Sequence, residues 1–521
     1  MELVKTQVQM ERKKGEASAQ ATFDEVYNLP DYLPDLFSVI LTSQDVRLDE
    51  IKAGTGHVLV RGAIRFRVLY RTDQNDWKIS SLEGEIPFQK TLVMDQMDEF
   101  DIASVEPVLE DLSVRINNSR KLNIRALLEL KASVGERYDV ELPESLEADR
   151  QPEVMMEKRE FLELRYHGSE QCHIREEVQI PSNKPNVGQI LWQQAQIFGM
   201  ETRIAPGEVT IQGEIQVFLV YAGEESGGLQ WFVERVPYQC VFEIPEADSS
   251  LIPYVTIRSQ SLNCSLGNDA DGEPRVILAE ADLRADICLY GERKQELISD
   301  TYALDCSLVL EKDDISLMGL RMKNESACRV NETMKIQNPD QDILQICAGF
   351  GDAGIDHREI TEDGILVEGA VKVQLLYLTS SDQTPIEAME EVIPFKYTIE
   401  IPGIASNDQV ELQHSLDSLS FLMKNSREVE LQAVIGLQAL VTTPSELEVI
   451  RDIRREDLKI EELNTQPSIV GLTLTPEDSL WKIAKKYHTT IERIKKTNRL
   501  ENDNITQGMK ILLIKQLPQR I

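Results

Sequence analysis

The stretch Gly62-Ala-Ile-Arg-Phe-Arg-Val-Leu-Tyr70 occurs three times in this chain, in closely related forms. The second form is Gly213-Glu-Ile-Gln-Val-Phe-Leu-Val-Tyr221, and the third is Gly369-Ala-Val-Lys-Val-Gln-Leu-Leu-Tyr377. Each form runs from a glycine to a tyrosine eight residues later, and successive copies are 151 and 156 residues apart. A repeat at this spacing indicates three related domains of about 150 residues each.

The similarity continues beyond the tyrosine of each copy. A proline followed by an aromatic residue comes 16 or 17 residues later, and an arginine comes 50 to 54 residues later. The second copy is about four residues longer, near Gly267 to Gly272, where an Asp-Gly pair predicts an extended hairpin loop. The repeated residues are Pro87-Phe88, Pro237-Tyr238 and Pro394-Phe395, with Arg120, Arg275 and Arg427.

Apolar residues alternate along these segments, as they do in half-buried strands. In the first copy Ile64, Phe66, Val68 and Tyr70 share one face, while the other face is mixed. The interpretation is a mainly β protein with three tandem β-sandwich-like domains and minor helix, at residues 1–155, 156–311 and 312–455. Short helices are expected near residues 36–41, 188–197 and 342–347, and acidic connectors such as residues 141–149 are expected between copies.

Composition narrows the possible functions. The chain has 521 residues, 41% of them hydrophobic, and a formal net charge of −34. Such an acidic chain is a poor ligand for nucleic acid or for an anionic membrane surface, because both carry negative charge. No apolar run approaches the length of a membrane span, and residues 1–15 contain no apolar segment typical of a secretory signal. The seven widely spaced cysteines are interpreted as reduced, buried thiols of a cytosolic protein.

The C-terminal part follows a different pattern. After a linker at residues 456–467, residues 468–517 predict a strand, two short helices and a closing strand. The first helix would carry the apolar residues Leu480, Ile483, Ala484 and Tyr487 and begin at Asp478 or Ser479. A capping box at 489–492 would open the second helix.

This order resembles a LysM domain, with Asp478-Ser-Leu-Trp-Lys-Ile-Ala484, Tyr487, Asn498 to Leu500 and Gly508 matching the family pattern. The resemblance implies a glycan-binding groove between the first strand–helix loop and the second helix–strand loop. The sequence departs from the family at three positions: an aromatic residue is replaced by Leu472, the turn glycine by Glu477 and the proline by Gln507. The predicted partner- or glycan-binding residues are Glu477, Asp478, Ser479, Trp481, Lys485, Lys486, Ile505, Thr506, Gln507 and Gly508.

The three repeats, with their Gly-x7-Tyr strand and Pro-aromatic pair, resemble the DUF3794 (SPOCS) domain of spore-coat proteins. Tandem copies ahead of a LysM domain are similar to a family of spore-coat morphogenesis proteins. The resemblance implies a protein of the mother-cell cytoplasm that is recruited to the forespore surface during endospore formation. It also implies that the LysM domain engages the coat ATPase SpoIVA and that other coat proteins are further partners.

No catalytic motif stands out, and neither a cofactor nor a metal is expected. Gly349-Phe-Gly-Asp-Ala-Gly354 fits a dinucleotide-loop pattern, but it lacks a preceding strand and a following helix, so a plain turn is expected. Residues 267–272 lack the carboxylates of a calcium loop at the first and twelfth positions. His167, Cys172 and His173 lack the spacing of a zinc site.

Charge distribution favours a docking role for the tail. From Ser468 to Ile521 there are ten basic and five acidic residues, so the tail carries +5 and the preceding residues carry −39. A basic module on an acidic body suits an acidic protein surface, although the lysines could equally form a solvated helix face.

Trp481 lies outside the apolar stripe and is either an interface anchor or a half-exposed side chain. The leading hypothesis is a non-enzymatic structural adaptor, and the alternative is a protein that binds peptidoglycan or another N-acetylglucosamine glycan.

Overall fold

The computed structural model describes residues 2–73, 78–95, 97–148, 151–224, 228–336, 342–381, 384–456, 469–503 and 505–514. Each of the three repeats contains six antiparallel strands in two three-stranded sheets. Within a repeat, strands two to four form one sheet as a meander. The last strand lies between the first and the fifth in the other sheet. The mainly β architecture expected from the alternation is therefore confirmed.

The strands of the three domains have corresponding lengths. Domain 1 contains β1 (Glu2–Asn28), β2 (Ser38–Gly54), β3 (His57–Arg71), β4 (Ile79–Val93), β5 (Ile102–Asn118) and β6 (Lys121–Glu147). Domain 2 contains β7 (Glu153–Gln179), β8 (Val187–Ala205), β9 (Glu208–Gly223), β10 (Leu229–Glu243), β11 (Ile252–Gly267) and β12 (Val276–Tyr302). Domain 3 contains β13 (Ser307–Lys335), β14 (Ile343–Thr361), β15 (Gly364–Thr379), β16 (Ile386–Glu400), β17 (Gln409–Asn425) and β18 (Glu428–Glu456). The boundaries drawn at 155 and 311 fall inside β7 and β13.

The repeated glycine is explained by its cross-strand neighbour. Gly62 is paired with Phe88, and a Cβ atom at Gly62 would lie 2.2 Å from the carbonyl oxygen of Arg47 and 2.8 Å from the Phe88 ring. The equivalent pairs are Gly213 with Tyr238 and Gly369 with Phe395, and a Cβ atom would collide there as well. The aromatic ring of the Pro-aromatic pair therefore covers the glycine, and a side chain at that position would exclude the ring.

The repeated arginine and tyrosine hold the loop that joins the two sheets. Arg120 donates to the carbonyl oxygens of Leu33 and Pro30, both at 2.7 Å. Tyr70 donates to the carbonyl oxygen of Pro34 at 2.9 Å. In domain 2, Arg275 binds the carbonyls of Pro181 and Lys184, and Tyr221 binds that of Pro185. The tyrosines are buried packing residues, as the alternation indicated.

Two further cores join the three domains to one another. The residue before the repeated tyrosine points away from its own sandwich, and Leu69, Val220 and Leu376 meet in one cluster with Trp192 and Phe350. A second cluster joins the long strands through Met10, Phe161 and Leu317, which are equivalent positions of β1, β7 and β13. The outer faces of the sheets are therefore partly covered by the neighbouring domains, so the copies pack together instead of standing apart on connectors.

Several local expectations are wrong. The segments expected to be short helices lie in β2, β8 and β14 or directly before these strands, and no helix occurs among the described residues before 469. Their apolar spacing resembled a helix because bulges interrupt the strands, for example between Val39 and Leu41 and between Ile343 and Gln345. Residues 141–147, expected to be a connector, continue β6 and pair with β1.

Two other expectations also need correction. The glycine-rich stretch 349–354 lies within β14 and is not a turn, and Gly349 makes room for the ring of Phe421. Cys172 and Cys240 form a disulfide because β7 and β10 bring both side chains into the interior of domain 2, whereas the other five cysteines are free and buried. The loop at 268–275 is the hairpin connection that the Asp-Gly pair predicted.

The C-terminal domain has the expected strand–helix–helix–strand order. β19 (Ile469–Thr473) pairs antiparallel with β20 (Lys510–Ile514), and α1 (Leu480–Lys486) and α2 (Ile491–Asn498) lie between them in sequence. Ser479 caps α1, and Thr490 caps α2, one residue later than the predicted capping box. Glu456, the first residue of the predicted linker, ends β18, and residues 457–468 and 515–517 lie outside the described part of the chain.

Candidate functional site

The two loops of the LysM domain lie side by side. The N–H of Gly508 donates to the carbonyl oxygen of Leu474 at 2.9 Å, and the N–H of Leu474 donates to the carbonyl oxygen of Met509 at the same distance. Gly508 has a φ of +82°, in the left-handed region that glycine tolerates without strain. The turn at 505–508 is therefore fixed against the loop at 474–479.

Asp478 organises the first loop. Its Oδ2 accepts hydrogen bonds from the N–H of Thr475 at 2.8 Å and from the Thr475 hydroxyl at 2.7 Å. These hydrogen bonds, the one from the main chain first, hold the pKa of Asp478 below its usual range. Asp478 is thus a structural residue of the loop, while the neighbouring Glu477 presents its carboxylate to solvent.

Asn498 fixes α2 to the sheet. Its side-chain amide donates to the carbonyl oxygen of Leu512 at 2.8 Å and accepts from the N–H of Leu512 at 2.7 Å. The next residue, Arg499, is in the left-handed conformation with φ of 55° and ends the helix. The Asn-x-Leu element of the motif therefore positions β20 and the turn that precedes it.

The helical part of the predicted site contacts domain 2. The indole Nε1 of Trp481 donates to Oδ2 of Asp300 at 2.7 Å, and Nζ of Lys485 donates to Oδ1 of the same carboxylate at 2.5 Å. The Trp481 ring packs edge-on against Tyr302 with ring centroids 4.9 Å apart. The partly buried Trp481 is thus anchored on another domain of this chain, and its expected contact with a partner stays a prediction.

Main-chain contacts extend this interface past α1. The Tyr302 hydroxyl donates to the carbonyl oxygen of Thr489 at 2.8 Å, and Nδ1 of His488 lies 3.2 Å from the carbonyl oxygen of Ala303. Tyr302 belongs to the same buried apolar cluster as Leu480, Ile483 and Ala484 of the LysM core. The end of β12 and the segment after it thus form the surface on which α1 lies.

The electrostatics of Asp300 reflect this contact. Burial acts to raise the pKa of its carboxyl, but the hydrogen bonds from Lys485 and Trp481 outweigh burial and hold the pKa below its ordinary value. Desolvation raises the pKa of the Tyr302 phenol, which remains protonated and able to donate. Charge-assisted hydrogen bonds of this kind are stronger than neutral ones.

The predicted binding residues therefore fall into two sets. Trp481 and Lys485 face domain 2. Asp478, Ser479 and Ile505 are half-buried within the LysM domain, where Ser479 caps α1. The remaining predicted residues are exposed: Glu477, Lys486, Thr506, Gln507 and Gly508.

Asp300 and Tyr302 were not anticipated from the sequence. They lie at the end of a long strand, and 181 residues separate Asp300 from Trp481. A local motif carries no information about contacts at that separation. The histidines and cysteine considered as a zinc cluster are not brought together, because His173 pairs with Asp282 and Cys172 is in the disulfide.

Comparison with known families agrees with the geometry. The SipL SPOCS domain family matches three segments, residues 35–117, 186–266 and 342–424, and the LysM domain family matches residues 473–513. Both are non-catalytic binding modules. No curated protein and no solved structure gives a significant match. Among the described residues, no helix has the length and apolar character needed to cross a membrane. The chain therefore has the domain arrangement of a SipL-like protein, with three SPOCS domains followed by a C-terminal LysM domain.

Proposed function

We propose that this protein is a non-enzymatic structural adaptor of endospore coat assembly, acting in the mother-cell cytoplasm at the forespore surface. The LysM domain docks the coat ATPase SpoIVA, and the SPOCS domains serve as the scaffold that contacts other coat proteins. The observation that carries this proposal is the combination of three SPOCS domains with one LysM domain whose loops form an exposed surface.

The scaffold role is supported by the way the domains pack. Leu69, Val220 and Leu376 contribute to one shared core, and the long first strands contribute to another. Burial of apolar surface between domains favours a fixed arrangement over independent motion. A body of this kind holds its outer surfaces in constant relative positions, as an assembly platform requires.

The docking role is supported by charge. Exposed cations on the LysM domain lie on both helices and on the closing strand, namely Lys482, Lys486, Arg493, Lys496, Arg499 and Lys510. The remainder of the chain is strongly acidic. Complementary charge steers association and sets orientation, so the expected partner surface is acidic.

A pulldown with purified SpoIVA tests this assignment. The full chain carrying Lys482→Glu and Lys486→Glu should retain at least tenfold less SpoIVA, since two docking charges are reversed. A matched control carries Lys335→Glu and Lys396→Glu, which reverse two exposed lysines of domain 3. Equal retention by both double variants would contradict docking through the LysM domain.

Glycan binding is the second candidate, because the family groove lies between the two exposed loops. Glu477 occupies the position of the usual turn glycine and places a carboxylate at that groove. Sedimentation of the full chain with purified peptidoglycan distinguishes the candidates. Retention that chitin oligomers compete away would support glycan binding, and retention gained only by Glu477→Gly would show that the carboxylate blocks it.

A further inference from the structure

A cluster of three potential metal ligands lies between domains 1 and 2, far along the sequence from the LysM site. His167 of β7 and Cys288 of β12 are directly paired in the antiparallel ladder. Side chains that are paired in this way point to the same face of a sheet, with their Cβ atoms roughly 5 Å apart. The register alone therefore places a ring nitrogen beside a sulfur.

Domain 1 supplies the third group. Glu11 of β1 approaches this face, and its Oε2 lies 3.1 Å from Nδ1 of His167. One ligand atom from each of Glu11, His167 and Cys288 can be chosen so that all three lie within 4.8 Å of one another. Ligand atoms at that spacing can converge on a single ion without a change of backbone.

The cluster is sheltered from solvent. Cys288 is buried, and the side chains of His167 and Glu11 are 13% and 19% exposed. Arg137, the strand partner of Glu11, donates to the main-chain carbonyl oxygen of His167 at 3.4 Å. Arg137 therefore contacts the main chain of the histidine, whose ring Nδ1 contacts Glu11.

The donor set identifies the class of ion. Sulfur, imidazole nitrogen and carboxylate oxygen are the three ligand types of zinc in proteins, whereas calcium and magnesium prefer oxygen alone. We propose that Glu11, His167 and Cys288 bind one zinc ion that joins domain 1 to domain 2. Water completes the four-coordinate shell. On binding, a zinc–sulfur bond forms and the Cys288 thiol proton passes to solvent, with no change of oxidation state.

Such an ion would add a metal link between two domains that already meet through apolar clusters and through polar contacts such as that of Arg67 with the carbonyl oxygen of Gln193. The ion would also replace the hydrogen bond between Glu11 and His167, since both groups would bind the metal instead. Metal-free protein should then show a looser contact between β1 and β7 than zinc-loaded protein, without losing the sandwich of either domain.

Metal binding by the full chain tests the site. Protein stripped with EDTA is dialysed against zinc chloride and analysed for metal, and cobalt(II) is used as a spectroscopic probe. We expect one zinc per chain and, with cobalt, a thiolate-to-metal charge-transfer band in the near ultraviolet. Cys288→Ser should remove the band, and His167→Gln and Glu11→Gln should each weaken zinc affinity at least tenfold.

Two variants serve as matched controls. Cys264→Ser changes another buried thiol of domain 2, and His173→Gln changes a histidine six residues from His167 that pairs with Asp282. Both should keep one zinc and the cobalt band. The proposal is overturned if the unmodified chain binds no zinc at micromolar concentration, or if Cys288→Ser keeps the same band. If Cys288→Ser fails to fold, the partly exposed His167→Gln and Glu11→Gln decide the question, provided that their circular dichroism matches that of the unmodified chain.

Discussion

The carboxylate of Asp300 accepts a hydrogen bond from the indole of Trp481, with Oδ2 and Nε1 2.7 Å apart. This bond joins the last strand of the second SPOCS domain to the first helix of the LysM domain. The same carboxylate binds Lys485 through its other oxygen. One acidic residue therefore occupies two of the side chains expected to bind a partner, and this competition can be tested directly.

Asp300→Ala should loosen the LysM domain from domain 2. The substitution leaves Trp481 and Lys485 without their acceptor and should weaken the contact by about 1.5–3 kcal/mol, the usual contribution of hydrogen bonds to a charged group. Hydrogen exchange monitored by mass spectrometry should show faster exchange in α1. Asp282→Ala, which changes an exposed carboxylate on the same strand, is the control and should leave α1 unchanged.

The same variant tests whether SpoIVA binds the side chains that face domain 2 or only the exposed loops and lysines. If SpoIVA contacts Trp481 and Lys485, the contact of these two residues with Asp300 lowers the apparent affinity of the chain for SpoIVA. Loss of the Asp300 contact makes both side chains available and raises that affinity. We expect Asp300→Ala to retain severalfold more SpoIVA than the unmodified chain in a pulldown. Unchanged retention, together with faster exchange in α1, would restrict docking to the exposed loops and lysines.

Tyr302→Phe should have a smaller effect than Tyr302→Ala. The phenylalanine keeps the edge-on packing against Trp481 and loses only the hydrogen bond to Thr489, at a cost of about 1 kcal/mol. The alanine removes both contacts and should release the LysM domain as fully as Asp300→Ala does. Equal exchange rates in the two tyrosine variants would show that the ring contributes nothing to the contact.

The contact should also depend on acidity. Because the pKa of Asp300 is depressed in the folded chain, its ionised form contributes stability above the ordinary value of 3.8, and this contribution is lost as pH falls below 3.8. Protection of α1 should therefore be constant from pH 5 to 8 and should fall under stronger acid. Asp300→Asn should remove this particular dependence, and an identical acid profile in that variant would contradict the assignment.

Gly62→Ala should destabilise domain 1 severely. The added methyl group would meet the carbonyl oxygen of Arg47 and displace the Phe88 ring, and overpacking of this kind costs about 3 kcal/mol. Gly354→Ala, at a strand glycine with nothing within 4 Å of an added Cβ, is the control. Chemical denaturation should separate the two variants clearly, and a similar midpoint for both would show that the glycine is not required by packing.

Much of the fold follows from patterns in the sequence. The alternation along Ile64, Phe66, Val68 and Tyr70 predicts a strand, since side chains on a strand point alternately to opposite faces. The threefold repetition then predicts three similar domains. This reasoning fails at the β-bulges, because one extra residue changes the apolar spacing there. For that reason β2, β8 and β14 were expected to contain helix.

The candidate site was predictable only in part. The loops around Glu477 and Gly508 follow from the LysM pattern, as do the caps and the apolar stripe of α1. The sequence does not predict which residues cover the side chains on the outer faces of the sheets, since Leu69 and Val220 are covered by other domains and not by their own sandwich.

By itself, the sequence determined the strand pattern, the three copies and the terminal LysM module, because these depend on contacts between residues close in the chain or repeated along it. Only the tertiary structure decided that Cys172 joins Cys240, that Glu11 meets His167 and Cys288, and that Trp481 lies on Asp300. These contacts join residues far apart in the chain. They depend on how whole domains pack, and the local periodicity of the sequence does not predict that packing.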